Sequence, residues 1–297
     1  MSAVRTIGFL GAGHIGEPMV ERVLAAGHPV RVYARRPEVS SRLAALGAEL
    51  VDTAQDLAAC DAVVSCLYDD AQMLDVLPGV VAALGPHTVL LSHTTGAPAT
   101  LDRLDGYAPG ARAAIVDAAF SGTAEAVRAG RLTVFLGGEP AHVATAREVV
   151  AAYAAPVVAT GPRGSALRVK LLNNLLFAAI SQVTLRGLAA GRAMGVAEDA
   201  LLEALSVSSG GSAAGAYIAA RGGPEGYVAA VAPFLRKDLA ACRDTAAQSG
   251  VDLALLLGAA RDGPMDLGEI TAAGKSPGAT GTDRDPQRRE QFGEDHH

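Results

Sequence analysis

The apolar run at residues 4–10 stops at Gly11-Ala12-Gly13-His14-Ile15-Gly16, and a helical pattern over residues 17–26 begins at once. Three glycines at this spacing, between a buried strand and a helix, leave the chain few local geometries. Gly11 permits a tight turn, Gly13 leaves bare backbone, and Gly16 lets helix and strand pack closely. Pro18 is tolerated in a first helical turn, and Gly27 stands where a helix ends.

The same rhythm continues. Strands are expected at 30–33, 49–51 and 62–67, with helices at 39–46 and 54–60 between them. Thr53 and Asp56 flank the last helix start as a capping pair. Further strands are expected at 88–91, 113–117, 132–136 and 156–159. Strands separated by helical patterns predict a doubly wound, mostly parallel α/β sheet of Rossmann type, with helices on both faces.

The pattern changes at Gly161-Pro162-Arg163-Gly164. Over residues 165–194 only Gly187 and Gly191 interrupt a sequence that is apolar nearly all round. A helix of that length spans about 45 Å, and its apolar girth predicts burial between two bodies. Helical patterns recur at 198–206 and 233–248. The expected division is a dinucleotide-binding domain at 1–162 and an all-α substrate and dimerisation domain at 163–268, joined by the long helix. Residues 269–297 are polar and rich in Gly and Pro, and are expected to be a disordered tail.

Composition removes several classes of function. The net charge of -6 is spread without a basic stripe, so no nucleic-acid partner is expected. The longest apolar stretch, 171–185, contains Asn173, Asn174, Ser181 and Gln182, which argues against a membrane span. Cys60, Cys66 and Cys242 have no metal-ligand spacing, so no metal is expected and the thiols read as reduced. No basic-then-apolar leader opens the chain, and a cytoplasmic location is expected.

The glycine turn sits where a pyrophosphate needs close backbone and the positive end of a helix. Gly11, Ala12, Gly13, His14, Ile15 and Gly16 are therefore the expected cofactor turn. The second strand leads into Tyr33-Ala34-Arg35-Arg36, with no carboxylate before Glu38. Arg35 and Arg36 suit a 2′-phosphate, which favours NADP while leaving NAD open. In the long helix, Lys170 and Asn174 share one face among Leu167, Val169, Leu171, Leu172 and Leu175. A lysine so placed needs a partner, neutralisation or a wet cleft. A desolvated ammonium at a cleft edge polarises a carbonyl oxygen and supplies its proton.

Four segments in order resemble the β-hydroxyacid dehydrogenase family, whose best-known member is 3-hydroxyisobutyrate dehydrogenase. They are Gly8 through Met19, then Asp117-Ala118-Ala119-Phe120-Ser121-Gly122-Thr123 with Ala129-Gly130-Arg131-Leu132 and Gly137-Gly138. The third is Gly161 through Lys170 to Asn173-Asn174, and the fourth is Phe234-Leu235-Arg236-Lys237-Asp238-Leu239. The resemblance implies an NAD(P)-dependent oxidoreductase that interconverts a small 3-hydroxy acid and its semialdehyde. It implies Lys170 as general acid/base, and Asn174 as holder of the reacting hydroxyl or the carboxylate. Ser121 with the amides of Gly122 and Thr123 would bind that carboxylate. Thr95 would lie near the nicotinamide ribose, Leu67 would end the strand beneath the cofactor, and Lys237 would close over it. A homodimer or higher homo-oligomer is implied as well.

The chain departs from the family pattern at Ala119, where proline is usual, and at Thr123 and Ala166, where glycine is usual. Thr123 is expected to narrow the carboxylate pocket. His93 is unusual beside Thr94 and is expected at a strand end facing solvent or the cleft. The helices after Asp252 look shortened. Among relatives, 6-phosphogluconate dehydrogenase carries His where Asn173 stands, and imine reductases commonly replace the lysine. A non-catalytic NADPH-binding sensor is the alternative from another class.

Overall fold

The structure is a computed structural model and describes residues 5–110 and 112–268. The segment expected to be a disordered tail lies outside the described residues. The first part alternates β1 (Ile7–Leu10), α1 (Gly16–Ala25), β2 (Val30–Tyr33), α2 (Pro37–Ala45) and β3 (Glu49–Leu50). It continues with β4 (Ala62–Ser65), α3 (Asp70–Ala83), β5 (Val89–Ser92), α4 (Pro98–Leu104), β6 (Ile115–Asp117) and β7 (Phe120–Ser121). Then follow α5 (Ala124–Arg128), β8 (Leu132–Gly137), α6 (Pro140–Val150) and β9 (Ala154–Gly161).

The sheet runs β3-β2-β1-β4-β5-β6-β8-β7, with β9 beside β8. Pairings from β3 through β6 are parallel, and β8 turns antiparallel to β6 and β7. This is the expected doubly wound, mostly parallel Rossmann sheet. The alternation of side chains explains its two cores. Ile7, Phe9, Val64 and Leu91 enter one buried cluster, while Leu10, Val63 and Leu90 enter the other.

Residues 54–59 form a capped 3-10 turn rather than an α-helix. Thr53 and Asp56 exchange the expected capping bonds, and a segment so short gains little from the longer hydrogen-bond ladder. The fourth strand stops at Ser65, so Leu67 lies beyond its end.

Five helices follow among the described residues: α7 (Ser165–Ala193), α8 (Glu198–Ser206), α9 (Ala213–Ala220), α10 (Pro224–Gln248) and α11 (Ala254–Arg261). Pro233, expected to open a helix, lies inside α10, which starts at Pro224 instead. Tyr227, Val231, Ala232 and Leu235 are buried around it, and that packing outweighs the missing N–H. After Asp252 the described residues carry one short helix, α11, and are docked on α7. Buried Gln182 accepts the Met265 N–H at 2.9 Å and donates to the carbonyls of Ala260 and Met265 at 2.9 and 2.7 Å.

The long helix is less buried than its composition predicts. Val169, Leu172, Leu176, Ile180 and Val183 are all exposed, in one stripe at helical spacing. Its opposite side packs on both the sheet and α10 and α11.

Candidate active site

A cleft of about 600 Å³ opens at the carboxyl ends of β1, β2, β4 and β5, between the sheet and helices α7 and α10. Sheets of this kind bind ligands there, where the strand order reverses.

Backbone geometry explains the glycine turn. Gly11 has φ +87°, and a Cβ on it would stand 2.2 Å from the Cys66 carbonyl oxygen. A Cβ on Gly16 would meet the Gly11 carbonyl oxygen at 2.2 Å and the Phe9 ring at 3.1 Å. These two positions are closed by packing. Gly13 is the opposite case, since a Cβ there would meet nothing within 4 Å. The first turn of α1 has no side-chain cap, so its amide end is left to a ligand. A pyrophosphate therefore fits the turn that Gly11, Ala12, Gly13, His14, Ile15 and Gly16 present to the cleft.

Arg35 and Arg36 line the cleft at the end of β2. Arg36 donates to the Ala12 carbonyl at 3.4 Å and lies 3.9 Å from Glu38. Arg35 is exposed, and among the described residues no hydrogen bond or ion pair engages its side chain. Leu67, Thr95 and Gly122 also line the cleft. Cys66 does too, and burial pushes its thiol up to about 12, so it stays protonated.

Lys170 is placed by the start of α7. Buried Asp117, at the end of β6, accepts the N–H of Gly164 at 2.7 Å and of Leu167 at 3.0 Å. A carboxylate from the sheet thus caps the first turn of the helix. Gly137 makes room for it, since a Cβ there would stand 2.7 Å from Asp117 Oδ1. Three residues past Leu167, Lys170 enters the cleft. Burial lowers its pKa from the ordinary 10.5; the Asp238 carboxyl opposes that fall and the Lys237 ammonium adds to it.

Asp238 faces Lys170 from α10 and is buried. It accepts Asn174 Nδ2 at 2.5 Å, and Asn173 Nδ2 donates to Asn174 Oδ1 at 3.1 Å. Burial raises the Asp238 pKa, against the pull of Lys237, the Asn174 hydrogen bond and Lys170. Its other oxygen, Oδ1, has no hydrogen-bond partner and lies 3.6 Å from Lys237 Nζ. Lys237 reaches from α10 to the loops that follow β4 and β5. It donates to the carbonyls of Tyr68 and Thr95 at 2.9 and 3.0 Å, and stands 5.1 Å from the centre of the Tyr68 ring.

Lys170, Asn174, Lys237, Gly122 and the whole glycine turn therefore share one cleft. Ser121 and Thr123 do not line it. Ser121 pairs with Thr133 in the sheet, and the Thr123 hydroxyl accepts the Ala126 N–H at 3.4 Å to cap α5. The narrowing expected from Thr123 is absent because its side chain serves the helix.

Asp238 lies in the Phe234–Leu239 segment but has no role in the sequence-based expectations. The signal was present: an aspartate between Leu235 and Leu239, sharing a helix face with Phe234, needs a buried partner. His93 stands just past the end of β5 on the cleft side, as expected, and is almost fully buried there.

A doubly wound sheet with this glycine turn, and a cleft closed by a lysine-bearing helix, defines an NAD(P)-dependent oxidoreductase. Comparisons with known proteins agree. Residues 6–161 match the profile described as the NAD binding domain of 6-phosphogluconate dehydrogenase. Residues 164–262 match that described as NAD-binding of NADP-dependent 3-hydroxyisobutyrate dehydrogenase. The chain is 30% identical over 213 residues to an NAD-dependent L-serine dehydrogenase of Pseudomonas aeruginosa, covering 70% of this chain and 72% of that one. It is 30% identical over 210 residues to a 3-hydroxyisobutyrate dehydrogenase of the same organism, covering 69% and 70%. A Mycobacterium tuberculosis 3-hydroxyisobutyrate dehydrogenase solved with L-serine shares the fold. Its TM-score is 0.77 at 24% identity, over 87% of this chain and 92% of that one. The chain belongs to the β-hydroxyacid dehydrogenase family and is an NAD(P)-dependent dehydrogenase acting on hydroxyl groups.

Proposed function

We propose that this enzyme interconverts a small 3-hydroxy acid and its semialdehyde, prefers NADP, and uses Lys170 as general acid/base. The observation that carries the reading is the partly desolvated Lys170 ammonium, in the same cleft as the glycine turn. The bound dinucleotide supplies or takes up the hydride. In reduction Lys170 Nζ polarises the aldehyde oxygen and gives it a proton; in oxidation the neutral amine takes the hydroxyl proton. Asn174, held by Asp238, keeps a second amide N–H for the reacting oxygen or the carboxylate. Of the 121–123 loop, Gly122 is the residue at the cleft wall, and its backbone amide is the one we assign to the carboxylate. Arg35 is the residue we assign to the 2′-phosphate. Two relatives with names of this substrate class, one for L-serine and one for 3-hydroxyisobutyrate, support the choice of small hydroxy acids.

The test is nicotinamide absorbance with a panel of semialdehydes and 3-hydroxy acids, each with NADP and with NAD. Turnover of at least one such pair, with NADP preferred, is expected. Binding of NADPH without turnover of any carbonyl would instead favour a sensor.

We further propose the division at 162/163 as the domain boundary, a cytoplasmic location in keeping with three free cysteines, and pairing of two copies through the apolar stripe of α7. Among the described residues no helix is long and apolar enough to cross a membrane. The stripe runs from Val169 to Val183 and carries no charge. It continues into Gly187, whose Cβ position is open, so a second helix can approach closely there. Residues 269–297 bring only Ile270 and Phe292 as large apolar side chains, too few to cover it. Light scattering is expected to give a dimer or larger assembly, and Ile180→Glu a monomer. A monomeric parent would refute the pairing.

A further inference from the structure

His93 has no part in the chemistry proposed above, yet it lines the cleft at the end of β5. Its Nδ1 is hydrogen-bonded to the Ala118 carbonyl oxygen, and its Nε2 lies 2.8 Å from the Tyr153 hydroxyl. A carbonyl can only accept, so Nδ1 carries the proton. Nε2 then accepts, and Tyr153 donates to it. That tautomer satisfies every polar group in the chain Ala118–His93–Tyr153. Burial lowers the His93 pKa to about 4, so the ring is neutral across the working range of pH.

The ring also braces its neighbours by contact. It meets Phe120 edge-on at 5.9 Å and Tyr153 edge-on at 5.8 Å. Ala118 and Phe120 bracket the turn from β6 into β7, and Phe120 is a wall of the cleft. The next residues are Ser121, Gly122 and Thr123. The Ala118 N–H is tied to the Ser92 carbonyl at 2.7 Å and the Phe135 N–H to the Ala119 carbonyl at 2.7 Å. His93 thus adds a side-chain clamp at Ala118, two residues before Phe120 enters the wall.

We propose that His93 is a positioning residue for substrate. Held between Ala118 and Tyr153, its imidazole fixes Phe120 and the 121–123 loop, and so sets how a small carboxylate fits the cleft. This rests on the reading of residues 121–123 as the carboxylate loop. An apolar side chain of similar volume would leave the Ala118 carbonyl and the Tyr153 hydroxyl buried without partners, and the loop would shift to relieve them.

The test compares His93→Met, His93→Asn and Tyr153→Phe. Met fills the space and bonds to neither group; Asn restores an N–H near the Nδ1 position. For His93→Met the KM for the semialdehyde is expected to rise about tenfold while kcat and NADPH binding change little. His93→Asn recovers most of that loss, and Tyr153→Phe shows a smaller effect in the same direction. Amide hydrogen exchange over residues 118–123, measured without substrate, accelerates in His93→Met and returns towards wild type in His93→Asn. Wild-type KM and exchange in His93→Met, or an Asn variant as defective as Met, would overturn the proposal. Should His93→Met not fold, the same two readouts on Tyr153→Phe decide, with wild-type values overturning it. If the wild type turns over no semialdehyde, the functional reading fails, and the exchange comparison still decides whether His93 holds the loop.

Discussion

Asn174 Nδ2 donates to Asp238 Oδ2 across 2.5 Å, joining α7 to α10 one helical turn beyond Lys170. The proposed proton donor and the residue proposed to hold substrate are thereby tied to one buried carboxyl.

That carboxyl sets a pH dependence. In reduction the protonated Lys170 is the active form, so kcat/KM is flat at low pH and falls as pH rises through the lysine pKa. Burial holds that pKa below the ordinary 10.5, and the Asp238 charge raises it in opposition. Asp238→Asn removes the raising influence, so the fall moves to lower pH. The rising limb of the oxidation reaction moves the same way. A pH–rate profile of the variant displaced to higher pH would contradict this arrangement.

Asp117→Asn tests how the lysine is aimed. The amide can accept at one oxygen only, so either the Gly164 or the Leu167 N–H loses its partner inside the core. A cost of about 2–4 kcal/mol in unfolding free energy is expected, with kcat reduced as α7 loses its fixed start. Urea melts and steady-state kinetics read both. An unchanged melt would show that the helix start is held by other contacts.

Gln182→Ala concerns the C-terminal segment. Three buried hydrogen bonds to Ala260 and Met265 disappear, and a Cβ at Gly263 would stand 2.1 Å from Gln182 Oε1, so the fit is close. A loss of about 3 kcal/mol is expected, together with protease sensitivity after Asp252. Calorimetry and limited proteolysis check both.

Arg35→Ala is expected to weaken NADP binding about 10- to 100-fold, because a charge-assisted phosphate contact is worth roughly 1.5–3 kcal/mol. NAD binding should hardly move. Equal losses for both cofactors, measured by fluorescence titration, would contradict the assignment of Arg35.

Much of this was legible in the sequence because it rests on local rules. The glycine turn, the alternation of short apolar runs and the thirty-residue scale of α7 each follow from spacing along the chain. What escaped depends on distant partners. Asp117 caps a helix that starts 48 residues later, and nothing near it in sequence announces that. His93 does stand at a strand end, but its two partners, Ala118 and Tyr153, lie 25 and 60 residues away in sequence. Thr123 looked like an obstruction because its capping bond to Ala126 depends on where α5 begins. Pro233 misled for a simpler reason: tertiary packing carried α10 through a residue that more often starts a helix.

The central claim is that Lys170 Nζ moves the proton. Lys170→Ala, assayed with saturating NADPH and the best semialdehyde of the panel, tests it most directly. A loss of about 100- to 10,000-fold in kcat is expected, with the cofactor still bound at wild-type affinity. Turnover unchanged by the substitution, in a folded and cofactor-loaded variant, would contradict the account.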